Sequence, residues 1–242
     1  MYYYELHCHT KESSRCAKIP AADLVDFYVS IGFSGAVITD HFVNGNCTVG
    51  KDLPWEERID GFFAGYRAAK ARGDAVGFSV FAGAESSYFG TDVLFYGPSP
   101  AWYREHAGLD GVLNEPNALF DAMHAAGAFL VHAHPFREAD YIAMLRLFPR
   151  KVDGVEVFNA QRTPHENHMA QIYAKEYGLL PSVGSDNHVG ACDRLVAVAL
   201  EEKAETLDDL LLALRTGRAE FYLFSKMTDG SYRKSPLRTA DL

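Results

Sequence analysis

Short apolar runs of strand length alternate along this chain with longer segments whose apolar residues recur at helical spacing. The pattern predicts a first strand over 2–7 and a helix over 21–31, with Leu24, Val25, Phe27, Tyr28 and Ile31 near one face and Gly32 as its stop. A second strand is predicted over 35–39, then a long loop over 42–54 able to act as a lid, then a helix over 55–72. Strands three and four, at 78–85 and 92–96, are separated only by a short turn. Further on, helices are predicted over 117–126, 139–148, 165–177 and 207–216, and strands over 128–132, 155–158, 180–184 and 195–200. Seven or eight strand–helix repeats favour an α/β fold with a parallel sheet closed into a barrel. The polar end, from Lys226 on, is expected to be a surface extension, which divides the chain into a domain over 1–225 and an extension over 226–242.

Composition narrows this picture. With 242 residues and 48% hydrophobic content, a single domain can bury a substantial core. The formal charge of -9 argues against a broad nucleic-acid-binding face, although a short oligonucleotide or a locally bound anion remains compatible. Cys8, Cys16, Cys47 and Cys192 are scattered without a CxxC pair, so neither a zinc ribbon nor a disulfide framework is indicated. Reduced thiols in the cytoplasm are the simplest expectation. The start lacks a basic region followed by a long apolar segment, and no apolar run reaches membrane-spanning length, so a soluble, unexported protein with no membrane partner is expected.

The candidate chemistry sits where five apolar runs end: His7-Cys8-His9, Thr39-Asp40-His41, Gly83-Ala84-Glu85, His132-Ala133-His134-Pro135 and Ser185-Asp186-Asn187-His188. Barrel active sites lie at the carboxyl ends of their strands, so these endings converge on one polar pocket suited to divalent cations. Residues two apart on a strand share a side, which lets His7 and His9 present both imidazoles to one cation while Cys8 points away. Glu85 closes a strongly apolar run, where an unpaired carboxylate is costly; a cation resolves the cost, with a buried ion pair to Arg or Lys as the structural alternative. Asp186 and His188 repeat the two-residue spacing, and Gly184 and Ser185 allow close backbone approach. Pro135 ends its strand and aims His134 at the mouth, while His132, deeper on the same side, is expected to support rather than ligate. Gly45 to Lys51 has the opening spacing of a phosphate loop, but Asp52 stands where a hydroxyl is needed, so a lid loop is preferred.

Taken in order, these motifs over residues 7 to 188 resemble the PHP (polymerase and histidinol phosphatase) family of metal-dependent phosphoesterases. The resemblance implies a distorted TIM-like (β/α)7 barrel with two or three transition-metal ions (zinc, manganese or iron) at the carboxyl ends of the strands. It places His7, His9, Glu85 and Asp186 around one metal, with Glu85 bridging to a second that His134 also holds, and His41 and His188 at a third. It further implies that Arg137, after His134-Pro135-Phe136, contacts substrate phosphate, and that Asp40 and Asn159 lie near the site.

Two departures stand out. Relatives often carry His or Asp near the position of Arg15 to complete the third site, and a charged Arg cannot ligate a cation. Either Cys16 or water replaces that ligand, or Arg15 reaches the substrate phosphate as a fork-shaped donor, the preferred expectation. Asp92 stands where relatives often have His, and it remains a competent ligand. The expected reaction is hydrolysis of a phosphomonoester or small phosphodiester by a hydroxide held between two metals, with Arg137 and Arg15 steadying charge and His41, His188 or a metal-bound water protonating the leaving group. A metal-dependent amidohydrolase acting on C–N bonds and a non-catalytic metal-binding module are the alternatives. Substrate, native metal and oligomeric state are not legible in the sequence.

Overall fold

The computed structural model describes residues 1–237. Its strands are β1 (Tyr2–Cys8), β2 (Gly35–Ile38), β3 (Ser79–Tyr88), β4 (Thr91–Tyr96), β5 (Phe129–Ala133), β6 (Gly154–Asn159), β7 (Leu180–Gly184), β8 (Arg194–Leu200), β9 (Glu220–Lys226) and β10 (Tyr232–Pro236). The helices are α1 (Ala21–Ser30), α2 (Trp55–Phe62), α3 (Ala64–Val76), α4 (Pro100–Glu105), α5 (Pro116–Ala125), α6 (Pro164–Tyr177) and α7 (Leu207–Arg215). All ten strands join one curled sheet in the order β10-β9-β8-β1-β2-β3-β4-β5-β6-β7.

The uniform parallel repeat expected from the sequence is therefore replaced by a mixed sheet. Strands β1–β2–β3 and β5–β6–β7 are parallel, but β4 runs antiparallel to both β3 and β5, and β8 antiparallel to β1. The cause is local. Phe89 and Gly90, both at positive φ, form a two-residue loop between Tyr88 and Thr91, and so short a connection can only join antiparallel neighbours. The curl brings distant strands together. Tyr96 Oη on β4 donates to the Leu6 carbonyl of β1 at 2.8 Å, and beyond β7 Asn187 bridges Cys8 at the end of β1. Buried Glu5 reinforces that seam by accepting from Ser185 N at 2.9 Å and Tyr28 Oη at 3.1 Å, and burial pushes its pKa up to about 7.

Several other expectations need adjustment. The helix expected over 55–72 breaks at Phe63 into α2 and α3, which lets Gly65 seat against Thr10: a Cβ there would lie 1.9 Å from Thr10 Oγ1. The helix expected over 139–148 does not form. Tyr141, Met144, Leu145 and Leu147 stay exposed, so the segment has no buried stripe to hold a helix against the sheet. The polar end contributes strand β10, whose Tyr, Arg, Lys and Ser residues suit an exposed sheet edge and give no apolar signal. Residues 238–242 lie outside the described residues. By contrast α6 forms where expected, fixed by a Thr163–Glu166 capping box and by Gly178 in the left-handed region. No helix among the described residues is long and apolar enough to cross a membrane.

Candidate metal centre

Five buried side chains meet inside the curl: His7 and His9 from the end of β1, Glu85 from β3, His134 just after β5, and Asp186 just after β7. Glu85 is the hub. Its Oε1 lies 3.2 Å from His7 Nε2 and 3.3 Å from His134 Nε2, and its Oε2 lies 3.6 Å from His9 Nε2 and 2.7 Å from His41 Nδ1. Asp186 faces the same rings, with Oδ1 3.3 Å from His9 Nε2 and 3.6 Å from His7 Nε2, and Oδ2 3.8 Å from His134 Nε2. Asp92 lies at the edge, Oδ2 4.0 Å from His134 Nε2 and 3.5 Å from Arg137 Nη2. His134 and Asp186 both adopt positive φ, uncommon for residues with a Cβ and characteristic of positions where a fold holds strain at a site.

The rings are oriented from behind. His7 Nδ1 lies 2.9 Å from Glu156 Oε1. Glu156 Oε2 in turn accepts from His134 N at 2.9 Å and Asn159 Nδ2 at 2.8 Å. Gly184 makes room for this carboxylate, since a Cβ there would lie 2.0 Å from Glu156 Oε1. His9 Nδ1 lies 3.3 Å from Ser14 Oγ, which donates its one proton to Asp40 Oδ1 at 2.7 Å and can therefore only accept from the ring. That fixes the proton of neutral His9 on Nδ1 and leaves Nε2 with a lone pair toward the carboxylates. Asp40 also accepts from Thr10 N and Oγ1, both at 2.7 Å, so it shapes the loop behind His9 instead of facing the cleft.

Electrostatics follow from this crowding. Burial works against a charged His7, yet Glu156, Glu85 and Asp186 hold its pKa well above the ordinary value. His41 behaves likewise, raised against burial by Glu85 and Cys16. Glu85 is held well below the usual carboxylate range, His41 and His7 overcoming its burial; Asp186 is held low in the same way, chiefly by His7 and His9. His9 moves the other way, lowered well below its usual value by burial and by His188 and His41. Without a cation, protons on His7 and His41 balance the carboxylates. A divalent ion would do so with more charge and better-directed bonds.

The donor set fits such ions. His7 Nε2 and His9 Nε2 are buried without a hydrogen-bond partner. The ligand atoms of His7, His9 and Glu85, of Glu85, Asp92 and His134, and of His9, His41 and His188 each lie within 4.8 Å of one another. Imidazole with carboxylate suits zinc, iron or manganese.

The remaining candidates separate. His41 and His188 line the outer part of a cleft of about 830 Å³ that also reaches Glu85, Asp92, Arg137 and Asp186. Arg15 does not line it: the side chain is exposed and its Nε donates to the Cys47 carbonyl at 2.6 Å, so the expected phosphate contact is absent. Cys16 lines the cleft instead, its Sγ 3.1 Å from His41 Nε2. Burial would raise that thiol, but hydrogen bonds and charge from His188 and His41 bring it down to about 6. Asn159 reaches the centre only through Glu156. His132 does not support it at all: both ring nitrogens lack partners, and the ring packs near Phe148 and Tyr173. The turn at His134 breaks the alternation that would have kept the two imidazoles on one side.

Three contributors were not singled out from the sequence. Glu156 carries the same signal as Glu85, a carboxylate in an apolar strand run. Cys16 carries no sequence signal beyond its place beside Arg15. Arg162, on the loop after β6, lines the cleft with a buried Nε that has no partner, and nothing in its sequence neighbourhood marks it.

Comparison with known proteins gives one sequence match and several similar folds. Residues 164–219 match a family model described as PHP-associated. No curated protein matches. Among solved structures, the fold is similar to a two-domain protein from Bacteroides vulgatus described as containing a predicted PHP-like metal-dependent phosphoesterase (TM-score 0.65, 14% identity, 91% of this chain covered). The match covers 64% of that protein, so the chain spans a little under two thirds of its length. It is also similar to a candidate metal-dependent phosphoesterase from Bifidobacterium adolescentis (TM-score 0.53, 16% identity, 76% of this chain and 87% of the other). A third similar structure is PsfC from Pseudomonas syringae PB-5123 (TM-score 0.54, 18% identity, 99% and 92%). At these identities the structures speak for the fold alone, and the matched segment adds a sequence signal over residues 164–219.

Proposed function

We propose that this chain is a metal-dependent phosphoesterase that hydrolyses a small phosphomonoester or phosphodiester in the cleft bounded by Glu85, Asp92, Arg137, Arg162, Asp186 and His188. One observation carries the reading: a buried His and carboxylate cluster opens onto a wall bearing two guanidiniums, Arg137 and Arg162, each with an unpartnered buried Nε. Planar guanidinium forks match the oxygens of a phosphoryl group, whereas cleavage of a neutral amide has no need of two of them. The cleft volume suits a metabolite-sized ligand.

In this reading His7, His9, Glu85 and Asp186 hold one cation at the strand ends of a distorted barrel, and Glu85, Asp92 and His134 hold a second. Bound there, divalent cations would supply Lewis-acid charge neutralisation and water activation. Glu156 keeps the Nε2 lone pair of His7 aimed inward by accepting from Nδ1, and Ser14 does the same for His9. Arg137 and Arg162 bind and orient the phosphoryl oxygens and oppose the charge that develops as the ester bond breaks. His188, on the open side of the cleft, is placed to give a proton to the departing alkoxide. The thiols of Cys8, Cys16, Cys47 and Cys192 are free, which suits a reducing compartment such as the cytoplasm.

The test is a paired assay. Metal-stripped protein, reconstituted separately with zinc, manganese or iron, is offered aryl phosphomonoesters, phosphodiesters and cyclic amides. Metal-dependent phosphate-ester cleavage is the expected result; amide turnover without ester cleavage would overturn the proposal.

A further inference from the structure

The β3–β4 turn and the segment over 139–148 together form an apolar rim beside the cleft. Phe89 stands at φ 54°, ahead of Gly90 at φ 90°, in a two-residue turn where Asn, Asp or Gly is the usual first residue. A bulky side chain at such a φ is an outlier, and this one is 79% exposed. The turn is clasped to the second segment. Arg146 donates to the Phe89 carbonyl at 3.3 Å with its guanidinium carbon 5.2 Å from the centre of the Phe89 ring, and a Cβ on Gly90 would meet Ile142 at 2.6 Å. Tyr141 is fixed by a different arginine. Its Oη accepts from Arg137 Nη2 at 2.7 Å and its ring centre lies 5.6 Å from the Arg137 guanidinium, yet it is 69% exposed. Gly90, Tyr141 and the exposed Val189 line the same cleft as Arg137. Exposed apolar side chains scattered singly are ordinary; two aromatic rings held in place by arginines beside a cleft are not.

We propose that Phe89, Tyr141 and Ile142 bind the alcohol part of the phosphate ester and select substrates whose leaving group carries an apolar chain. The inference rests on the phosphoesterase reading above and names the class of leaving group. The occupant follows from continuity with the cleft. A phosphoryl group on Arg137 lies beside Tyr141, because the same guanidinium holds that side chain. The substituent on its ester oxygen has no room at the floor, which the buried His7, His9, Glu85 and His134 fill, so it leaves through the mouth, where Tyr141 and the Phe89 turn stand. The Tyr141 hydroxyl is already engaged by Arg137, so what the ring offers a ligand is its apolar face. Arg146 is engaged in the same way on the Phe89 carbonyl, and neither Glu138 nor Asp140 lines the cleft. A polar alcohol against this rim would shed water without gaining hydrogen bonds, whereas an alkyl chain gains from every methylene it covers.

The test is calorimetric titration of the full chain, reconstituted with zinc, with n-alkylphosphonates from ethyl to octyl, which share one head group and differ only in chain length. Affinity should rise by roughly two- to fourfold per methylene over the first few carbons, the upper figure corresponding to complete burial of each. Phe89→Asn, which keeps a residue tolerant of positive φ, should flatten the series beyond butyl. Leu212→Ser, which removes an exposed leucine on α7 away from the cleft, should leave the slope unchanged. Slopes are compared, so a change in phosphonate binding itself does not enter. Equal affinity from ethyl to octyl, or a slope that survives in both Phe89→Asn and Tyr141→Ser, overturns the apolar rim and leaves the phosphoesterase reading standing. A dimer at assay concentration that Phe89→Asn dissolves also overturns it, since a second copy would then cover the rim. No phosphonate bound at any length, together with no phosphate ester cleaved, overturns the reading on which the rim rests. The series on the unaltered protein needs no variant and Tyr141→Ser stands as a second one, so a misfolded Phe89→Asn protein does not decide the outcome.

Discussion

The floor and the mouth of the cleft are built on different terms. At the floor, His7, His9, Glu85 and His134 are almost wholly buried, and Glu156 and Ser14 hold His7 and His9 from behind. At the mouth, His41, His188, Cys16, Arg137 and Arg162 are half-buried and stand on loops or just past strand ends. Buried groups are costly to leave unmatched, so the floor is specified by the whole fold and tolerates little change. The mouth faces solvent and can vary its chemistry without disturbing the sheet. In the proposed reading the first would set what kind of centre this is, and the second what it binds.

The contrast can be broken hardest at the floor. Asp186→Asn should remove metal and lower turnover by roughly a thousandfold or more, as expected when several kcal/mol of transition-state stabilisation are lost. Metal analysis beside a steady-state assay checks it, and full turnover would remove Asp186 from the centre. Glu156→Gln, which alters the support behind His7, the His134 backbone and Asn159, should weaken metal affinity by about 10- to 100-fold with the fold intact by circular dichroism. A pH effect follows from His7 and His41. Their pKa values are raised in the metal-free protein, so they carry protons that a cation must displace; affinity should rise with pH until both are neutral, with proton release visible by calorimetry in buffers of different ionisation enthalpy.

At the mouth the effects should be smaller and should spare metal content. Arg162→Ala is expected to raise KM by about tenfold or more, the value of one charge-assisted hydrogen bond, at unchanged metal stoichiometry. A loss of metal in that variant would mean floor and mouth are not separable. The gentlest probe is Cys16 in metal-free protein: burial opposes its thiolate, but His188 and His41 favour it, so alkylation should rise through a pH of about 6 instead of the ordinary thiol range near 8.5.

The same division explains what was legible in the sequence. Strand ends announce themselves, because apolar runs stop and polar ligands begin, and so His7, His9, Glu85, His134 and Asp186 stood out as a set. Loop conformation leaves no such trace. Nothing in Ser14-Arg15-Cys16 says which of the last two side chains turns inward, and only the Arg15 bond to the Cys47 carbonyl decides it. Parity failed for His132 because the positive φ at His134 breaks the strand's alternation. The uniform parallel repeat is interrupted because a two-residue loop reverses β4, and strand β10 was hidden in a polar edge. Periodicity alone also placed a helix over 139–148, where no neighbouring element covers the apolar side chains.

The most direct test of the centre itself is anomalous diffraction from crystals of protein purified without added metal. The expected map has one peak among His7, His9 and Asp186 and another between His134 and Asp92, both in contact with Glu85. A cleft with no anomalous peak in protein that hydrolyses phosphate esters would contradict it.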